Sequence, residues 1–386
     1  MRPVDLRDRA AIAGIGETAY VRKGNEPLEA LVFEAIEKAC ADAGVSPKDI
    51  DGVVQVSGSG SRGVTVDDFN RNYGPRDISY VSSAPAGGGA CMNMAAGLAA
   101  QAINAGLCRR VLVWHGLTWG SQNQNPGDLH DASPNKHDFE TPYGWFGQPA
   151  HLAMLARRHM HEYGTTEAQF GAVAVAHRKH AILHGNAVMT KPITLEDHLS
   201  SRYIAEPLHL LDCCVINDGA AAYLVTSAEE AKTLRQTPVY VMGFGYAAGR
   251  RTQYWAQDPN FLQTSAVDAA PRAYAMAGIG QKDADFFQTY DGFTFMVLQT
   301  IEDHGFCKKG EGGSFVENGR IEVGGELPVD TSGGMLSQAY LQGMNHICDS
   351  VRQLRGQAGK AQVKNAEIGV IGGQGGAMYC TLVLRK

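Results

Sequence analysis

The sequence predicts an α/β protein built from two homologous halves, and two internal repeats carry this prediction. The segment AGVSPKDID at residues 43–51 returns as AGIGQKDAD at 277–285, an offset of 234 residues. Upstream of each copy lies a strand-like run that ends in glycines, AIAGIG at 11–16 and YVMGFG at 240–245. Two similar pairs in the same order indicate tandem halves, and the period is far too long for a solenoid.

The two halves are expected to meet near residue 236, giving an N-terminal half over 1–236 and a C-terminal half over 237–386. In each copy an alanine-rich helix precedes the Ala-Gly pair, the glycine ends the helix, and a strand follows. Each half should therefore hold a mixed sheet covered by helices. The first half also contains a loop excursion over about 120–200, and its polar, proline- and glycine-rich start is typical of a functional loop.

Composition excludes several classes of protein. The 386 residues carry a formal net charge of -6 and a pI near 6.1, so the chain has no general electrostatic attraction to nucleic acid or to anionic membranes. No apolar run reaches the ~18 residues of a membrane helix, and the N-terminus lacks a signal-peptide core. The eight scattered cysteines form no CxxC pair, which argues against zinc ribbons and disulfide frameworks. We expect a cytoplasmic protein without a membrane span.

Residues 82–106 form a glycine-rich turn that runs into a helix of small residues, with Cys91 just inside it. The run 94–103 is small and apolar around most of its circumference, which predicts a helix buried between sheets. Cys91 is the first candidate for a nucleophile.

The glycine runs at 14–16 and 372–376 are candidates for nucleotide-binding loops. The first lacks the third glycine of a dinucleotide fingerprint, and neither is followed by the lysine and hydroxyl residue of a P-loop. Nucleotide binding is therefore not favoured. Backbone amides of the second run would suit an oxyanion site instead.

Three histidines, His177, His180 and His184, fall on one helical face by their spacing. No cysteine or acidic ligand lies at a supporting offset, and Arg178 and Lys179 beside them indicate a solvated face. We expect no metal site here.

Two tyrosines follow turn signals in the second half. Tyr290 and Asp291 stand where a predicted strand ends, and Tyr340 follows the glycine turn 330–334. An apolar stripe along 340–354 predicts a helix with Tyr340 at the start of its inward face. From the residues alone, core aromatics are the simpler interpretation of both tyrosines.

Taken together, these features resemble the sterol-carrier-protein-type thiolases over essentially the whole chain. The resemblance rests on the duplicated halves and the helix after Gly89, on PLHLLDCC…NDGAAA at 207–222, and on GGQGGA at 372–377. It implies a thiolase-like duplicated α/β fold with a five-layer αβαβα core. It also implies a loop over the pocket, dimerisation and acyl-CoA ligands.

The nucleophile of that family is missing from its usual place. Counting back from Ile103 and Gly106 puts the family's cysteine at Gly89. Cys91 lies two residues later, where its side chain should point elsewhere.

The other catalytic motifs of the family are also replaced. Its Asn-Glu-Ala-Phe or His-Asp-Cys-Phe motif becomes YDGF at 290–293, and Tyr340 stands in place of its activating histidine. The C-terminal cysteine or histidine has no counterpart near Val370. Four changes at once argue against a working thiolase.

The replacement set resembles the lipid-transfer-protein branch whose members are steroid side-chain aldolases, through segments 290–294, 322–328, 333–345 and 351–356. The resemblance implies retro-aldol cleavage of a β-hydroxyacyl-CoA, with coenzyme A as part of the substrate and no tightly bound cofactor. It also implies a homodimer core that binds a small OB-fold and zinc-ribbon partner as an α2β2 complex. Gly292 departs from the branch, where some relatives have histidine.

On this hypothesis Tyr290 and Tyr340 share the acid and base roles, in an order that the sequence leaves open. A tyrosine with a pKa near ~10 is a poor base at neutral pH, so neighbours must lower that pKa or a water relay must help. Asp291 and His346 are candidate helpers.

The pocket itself is expected at Gly89, with amides near Gly375 and Gly376 holding the enolate oxygen. Two alternatives stay open at this point. One is a thiolase or acyltransferase that uses Cys91, and the other is a non-catalytic acyl-CoA- or sterol-binding protein.

Overall fold

The computed structural model describes residues 6–56, 63–74, 77–84, 87–123, 134–145, 147–248 and 260–386. The strands are β1 (Ala10–Glu17), β2 (Gly52–Val56), β3 (Tyr80–Ala84), β4 (Arg110–Thr118), β5 (Tyr203–Ala205), β6 (Leu208–His209), β7 (Asp218–Ser227), β8 (Val239–Ala247), β9 (Phe286–Gln288), β10 (Ile368–Gly375) and β11 (Met378–Arg385). The α-helices are α1 (Leu28–Ala43), α2 (Val66–Tyr73), α3 (Gly88–Asn104), α4 (Trp119–Gln122), α5 (Pro134–Phe139), α6 (Gln148–Tyr163), α7 (Glu167–His184), α8 (Leu195–Leu199), α9 (Ala228–Ala231), α10 (Ala266–Ala277), α11 (Thr294–Asp303), α12 (Gly312–Phe315) and α13 (Met344–Arg355).

Nine strands form one mixed sheet in the order β3-β2-β4-β7-β1-β8-β11-β10-β9. The first five come from the N-terminal half and the last four from the C-terminal half, and the junction is a short antiparallel contact of β1 with β8. The sequence predicted a sheet in each half, and the structure joins the two edge to edge. The predicted boundary near residue 236 falls between β7 and β8, and the division into two halves stays a prediction.

Alternate side chains of the strands face different helices. In β1, Ile12 faces the cluster that contains α3, whereas Ala13 faces the cluster that contains α1. In β11, Leu382 faces the same α3 cluster and Val383 faces α10 and α11. Because strand side chains alternate between faces, these contacts define five successive layers. They are α1, the first part of the sheet, the pair α3 and α13, the second part of the sheet, and the pair α10 and α11. This is the predicted five-layer αβαβα arrangement of a thiolase-like α/β fold.

The central helix α3 is buried around nearly its whole circumference, as its small side chains predict. A Cβ atom added at Gly97 would lie 2.8 Å from the Phe244 ring, so β8 contacts the helix where no side chain intervenes. The buried side-chain amide of Asn93 donates to the carbonyl oxygens of Ile371 (3.0 Å) and Cys380 (2.9 Å). These bonds fix the first turns of α3 against β10 and β11.

The repeated glycines make the same contact in both halves. A Cβ atom at Gly16 of β1 would lie 2.1 Å from the carbonyl oxygen of Ala35 in α1, and one at Gly245 of β8 would lie 2.0 Å from that of Ala269 in α10. Each glycine therefore lets a helix backbone rest directly on a strand. The packing of α1 therefore accounts for the glycines at 14 and 16 without a nucleotide, and the absence of nucleotide binding stays a prediction.

The excursion predicted over about 120–200 contains two long helices, α6 and α7. Residues 124–133 and 146 of its proline- and glycine-rich start lie outside the described residues. In the part of the chain that the structure describes, we find no helix long and apolar enough for a membrane span.

We predict that Gly16→Ala and Gly245→Ala each lower the free energy of unfolding by about 2 kcal/mol, because the new methyl group forces helix and strand apart. Urea unfolding followed by circular dichroism measures this. Gly280→Ala is the matched control, since a Cβ there meets only Asp283 Oδ2, at 3.9 Å, and Ser46 stands at the corresponding place in the first repeat. Equal stability of Gly16→Ala and Gly280→Ala would contradict the packing role.

Candidate active site

Two phenol groups meet at the centre of the molecule. Tyr290 follows the end of β9, and Tyr340 lies between a π-helical turn (Gly334–Gln338) and the start of α13 at Met344. Their oxygen atoms are 2.6 Å apart, a short hydrogen bond, and the rings meet edge to face. The sequence placed Tyr340 on the helix itself, which is wrong: Gly343 and Gly333 both adopt positive φ and turn the chain before the helix begins.

The ring of Tyr290 occupies the space above the first turn of α3. A Cβ atom added at Gly89 would lie 2.7 Å from Tyr290 Cδ2, and one at Gly88 would lie 3.1 Å from the phenol oxygen. A side chain at position 89 and the Tyr290 ring therefore cannot both keep these positions. The structure puts Gly89 where a nucleophile is expected and fills the place of that nucleophile with a phenol.

Cys91 is turned away from this contact into the core. Its side chain is 1% exposed, and its thiol donates to the carbonyl oxygen of Gly88 (2.9 Å). Burial raises the pKa of Cys91 to about 12. A thiol that keeps its proton at neutral pH is a poor nucleophile.

Both phenols are neutral at physiological pH. Burial raises the pKa of Tyr290 well above its ordinary value, and the nearby Tyr340 raises it further. Burial and the Cys214 thiol raise the pKa of Tyr340 as well, although hydrogen bonds from Tyr290 and Gln342 oppose this. Of the two routes that the sequence left open, the net direction favours the water relay over a pKa lowered by neighbours, because desolvation penalises the phenolate more than the hydrogen bonds stabilise it.

The carboxylate of Asp291 connects the loops that carry the two tyrosines. Its buried carboxylate accepts backbone N–H groups of Met335 (2.8 Å) and Leu336 (3.1 Å) and the Nδ1–H of His177 (3.0 Å). His346 Nε2 lies 3.2 Å from the other side of the carboxylate. Burial alone would raise the pKa of Asp291, but the nearby imidazoles of His177 and His346 outweigh it and hold that pKa well below its usual range.

This carboxylate changes the role expected of His346. The sequence offered His346 as a helper of the tyrosines, whereas the structure places it against Asp291. Asp291 thus ties the loop of Tyr290 to the turn that precedes Tyr340. Both predicted helpers lie against the tyrosine loops in this arrangement, and their part in catalysis stays a prediction.

The histidine face of α7 is buried, so the predicted solvated face is wrong. His177 and His180 are at most 1% exposed, and the Arg178 side chain is also buried, donating to Ser337 Oγ (3.0 Å). Only Lys179 reaches solvent among these side chains, where it pairs with Glu322. These contacts come from elements distant in sequence, which helical periodicity cannot show.

His177, Asp291 and Asp330 form a group of metal-type ligands whose atoms lie within 4.8 Å of one another. Hydrogen bonding accounts for part of the group: the oxygens of Asp291 accept three N–H groups. His177 Nε2 and Asp330 Oδ2, 3.6 Å apart, are buried without a hydrogen-bond partner. Burial and the Asp291 charge raise the pKa of Asp330. The expectation of no metal at His177, His180 and His184 stays a prediction. The acidic neighbours that the spacing did not show, Asp291 and Asp330, come from distant segments.

A short segment that the sequence treated as structural holds the two tyrosine loops together. The Cys214 N–H donates to the Gly292 carbonyl (3.0 Å), and the Val215 N–H donates to that of Met335 (2.9 Å). The side-chain oxygen of Asn217 accepts the Tyr340 N–H (2.6 Å). The Asn-Asp-Gly at 217–219 was the available sequence signal, and it was interpreted only as a turn into β7.

The glycines proposed for the enolate oxygen lie near the start of α3. A Cβ atom at Gly375 would meet the Gly87 carbonyl oxygen at 1.9 Å, so β10 packs directly on the turn that precedes Gly89. Gly376, with φ of 59°, forms the tight turn to β11. Their role as oxyanion donors stays a prediction.

Comparison with known proteins gives the fold a family. Residues 247–385 match the thiolase C-terminal domain-like family model. A steroid side-chain-cleaving aldolase of Thermomonospora curvata is 37% identical over 362 residues, which covers 91% of both chains. The chain belongs to the thiolase-like SCP2-thiolase family.

Two further relatives, one curated protein and one solved structure, support the same family assignment. The 17-hydroxy-3-oxo-4-pregnene-20-carboxyl-CoA lyase of Mycobacterium tuberculosis is 38% identical over 363 residues, covering 91% of this chain and 92% of the lyase. The solved Ltp2-ChsH2(DUF35) aldolase superposes with a TM-score of 0.91 at 34% identity, over 99% of this chain and 98% of that one. The predicted family resemblance is confirmed.

We predict that Gly89→Ala separates the two phenols, because the new methyl group must push the Tyr290 ring aside. A crystal structure of the variant should show the two oxygen atoms beyond hydrogen-bond distance. The rate of the reaction proposed below should fall about 100-fold, as expected for a misplaced catalytic group. Cys91→Ala in the same helical turn is the control and should preserve both. An unchanged phenol contact in Gly89→Ala would refute this account.

Proposed function

We propose that this protein catalyses retro-aldol cleavage of a β-hydroxyacyl-CoA that carries a steroid side chain. An example is the conversion of 17-hydroxy-3-oxopregnene-20-carboxyl-CoA to a 17-ketosteroid and propionyl-CoA. The single observation that carries the proposal is the hydrogen-bonded phenol pair above Gly89, in the volume that a nucleophile would need. Such a site is suited to proton transfer and not to acyl-enzyme formation.

The reaction needs one base, one acid and stabilisation of an enolate. One phenol, as phenolate, takes the β-hydroxyl proton while the Cα–Cβ bond breaks. The hydroxyl carbon becomes a ketone, and the bonding electrons move into the thioester enolate. The other phenol returns a proton to Cα, which releases the shortened acyl-CoA, so no covalent intermediate forms.

The two tyrosines act as one acid–base unit in this scheme. The Tyr290–Tyr340 contact allows the proton taken from the substrate to pass from one oxygen to the other. Since burial disfavours the phenolate of each, the charge must be shared through their hydrogen bond or passed to a water relay during turnover. Backbone amides near Gly375 and Gly376 would hold the enolate oxygen, a contact worth about 3 kcal/mol in the transition state.

The named relatives support the substrate class. Both curated relatives carry names of steroid side-chain or steroid acyl-CoA cleavage, and each aligns over about nine tenths of this chain. Coenzyme A then enters as part of the substrate thioester, and the proposal includes no tightly bound cofactor. Scattered cysteines without CxxC pairs fit a cytoplasmic location.

The assembly proposed is a homodimer core with a small OB-fold and zinc-ribbon partner, in an α2β2 complex. The related aldolase structure includes a DUF35 protein by its name. Within the described residues, no strand pairs with the outer edge of β3 at the end of the sheet, and Val81 on this strand is 52% exposed. An unpaired strand edge with an exposed apolar side chain suits a protein contact.

We predict that Tyr290→Phe and Tyr340→Phe each lower kcat/KM for carbon–carbon cleavage at least about 100-fold, because each removes a proton-transfer group. Circular dichroism and acyl-CoA binding should match the unsubstituted protein. Cys91→Ala serves as the control and should keep nearly the full rate. A large loss of rate in Cys91→Ala would restore a thiolase that uses this cysteine.

The defining assay incubates the protein with β-hydroxy steroid-CoA esters, with and without an OB-fold partner, and without free coenzyme A. We expect a ketone or aldehyde together with propionyl-CoA or acetyl-CoA, identified by mass spectrometry. A product that appears only when free coenzyme A is added would indicate thiolysis. Tight binding without any product, with and without the partner, would indicate a binding protein.

A further inference from the structure

Most glycines around the phenol pair are required by the fold itself. Gly333 and Gly334 have φ angles of 95° and 56°, in the left-handed region that residues with a side chain rarely adopt. A Cβ atom at Gly373 would lie 2.2 Å from the carbonyl oxygen of Gly89. Backbone conformation or close packing therefore explains glycine at each of these positions.

Gly292 has neither constraint. Its φ lies outside the left-handed region, and a Cβ atom there would meet its nearest neighbours, Met296 Sδ and Tyr290 Cε1, at the ordinary contact distance of 3.5 Å. Its carbonyl oxygen accepts the Cys214 N–H (3.0 Å), which holds the backbone in place. A side chain at position 292 would thus fit the fold and project beside the Tyr290 ring. The absence of that side chain needs a reason other than packing.

The Tyr290 ring has one filled edge and one that faces Gly292. The filled edge packs against the first turn of α3, where a Cβ atom at Gly89 would lie 2.7 Å from Cδ2. The opposite edge, Cδ1 and Cε1, is the one beside Gly292. Tyr340 offers little surface, because it is 4% exposed and its ring is stacked on Trp119, whereas Tyr290 is partly exposed. A ligand that contacts the phenol pair is therefore expected along the edge that faces Gly292.

We propose that Gly292 is a specificity-determining residue, because its missing side chain leaves room for a second carbon substituent on the β-carbon of the substrate. The inference rests on the proposed retro-aldol function and adds which β-hydroxyacyl-CoA esters the site prefers. The β-hydroxyl proton and Cα must both be reached from phenol oxygens 2.6 Å apart, so the β-carbon lies at this pair. One substituent of that carbon then lies beside the Tyr290 ring.

The identity of that substituent separates two kinds of substrate. An open-chain secondary alcohol places a hydrogen atom there, which leaves the space at Gly292 unfilled. A tertiary alcohol, such as one on a ring carbon, places a carbon group there and fills it. The site therefore favours β-hydroxyl groups on ring carbons, whose cleavage releases a ketone and not an aldehyde.

The test compares two steroid-CoA esters with the same ring system, one with its β-hydroxyl on a ring carbon and the other with it on an open-chain carbon. In Gly292→Ala we expect the ratio of kcat/KM for the ring ester to that for the open-chain ester to fall about tenfold, as for one extra methyl group in a filled pocket. Gly292→Val should lower the ratio further. Gly280→Ala, outside the site, is the matched control and should keep the ratio, since its Cβ meets only Asp283 Oδ2, at 3.9 Å.

Binding separates this inference from the proposed function. Analogues of both esters without the β-hydroxyl cannot be cleaved, and isothermal titration calorimetry measures their dissociation constants. We expect Gly292→Ala to weaken binding of the ring analogue about tenfold relative to the open-chain analogue. If the unsubstituted protein cleaves neither ester, this selective loss would refute the reaction and support the steric role of Gly292. An equal effect of Gly292→Ala on both analogues, or none on the ring analogue, would overturn the inference.

Discussion

The carboxylate of Asp291 is the interaction on which the arrangement of the site depends. It is buried, it follows Tyr290 directly in the chain, and it accepts two backbone N–H groups from the turn before Tyr340. Imidazoles from two helices, His177 and His346, face it from other sides. A buried charge is costly unless it is fully paired, so once paired it allows few alternative positions for the groups around it. The two phenols are held in place as well, because the loops that carry them are both attached to the Asp291 carboxylate.

Burial and hydrogen bonding act in opposite ways on the groups of this site. Burial raises the pKa of Asp330 and of both phenols, whereas donors around Asp291 lower the pKa of that carboxyl. The site therefore holds the Asp291 charge next to two neutral phenols. Because a second anion is disfavoured there, a phenolate formed at this site is a stronger base than one in water.

The sequence predicted the parts of this structure that depend on register and local pattern. The thiolase-like α/β fold follows from the family resemblance, and the buried α3 follows from its small residues. The contact of Tyr290 with Tyr340 agrees with their alignment to neighbouring catalytic positions of a related family, while their catalytic roles stay predictions. The features that were missed depend on contacts between distant segments. The position of Arg178 in its helix predicts a surface residue, but its guanidinium donates a hydrogen bond to Ser337, which is distant in sequence. The raised pKa values of the tyrosines were also beyond the sequence, because desolvation is a property of the folded environment.

The side chain of Asn217 illustrates another limit of the sequence. Its turn motif was visible, but its hydrogen bond to the backbone N–H of Tyr340 was not. A residue that acts through one contact with a distant segment has no local pattern that distinguishes it, so the three-dimensional structure is needed to find it.

The contact between Gly89 and Tyr290 also bears on how such a site arises during evolution. A cysteine at position 89 needs the space that the Tyr290 ring occupies, so the two chemistries exclude each other in one pocket. An ancestor that exchanged one for the other by single substitutions would pass through a protein with neither group in working position. Redundant gene copies, free of selection for either activity, would provide a route across that gap.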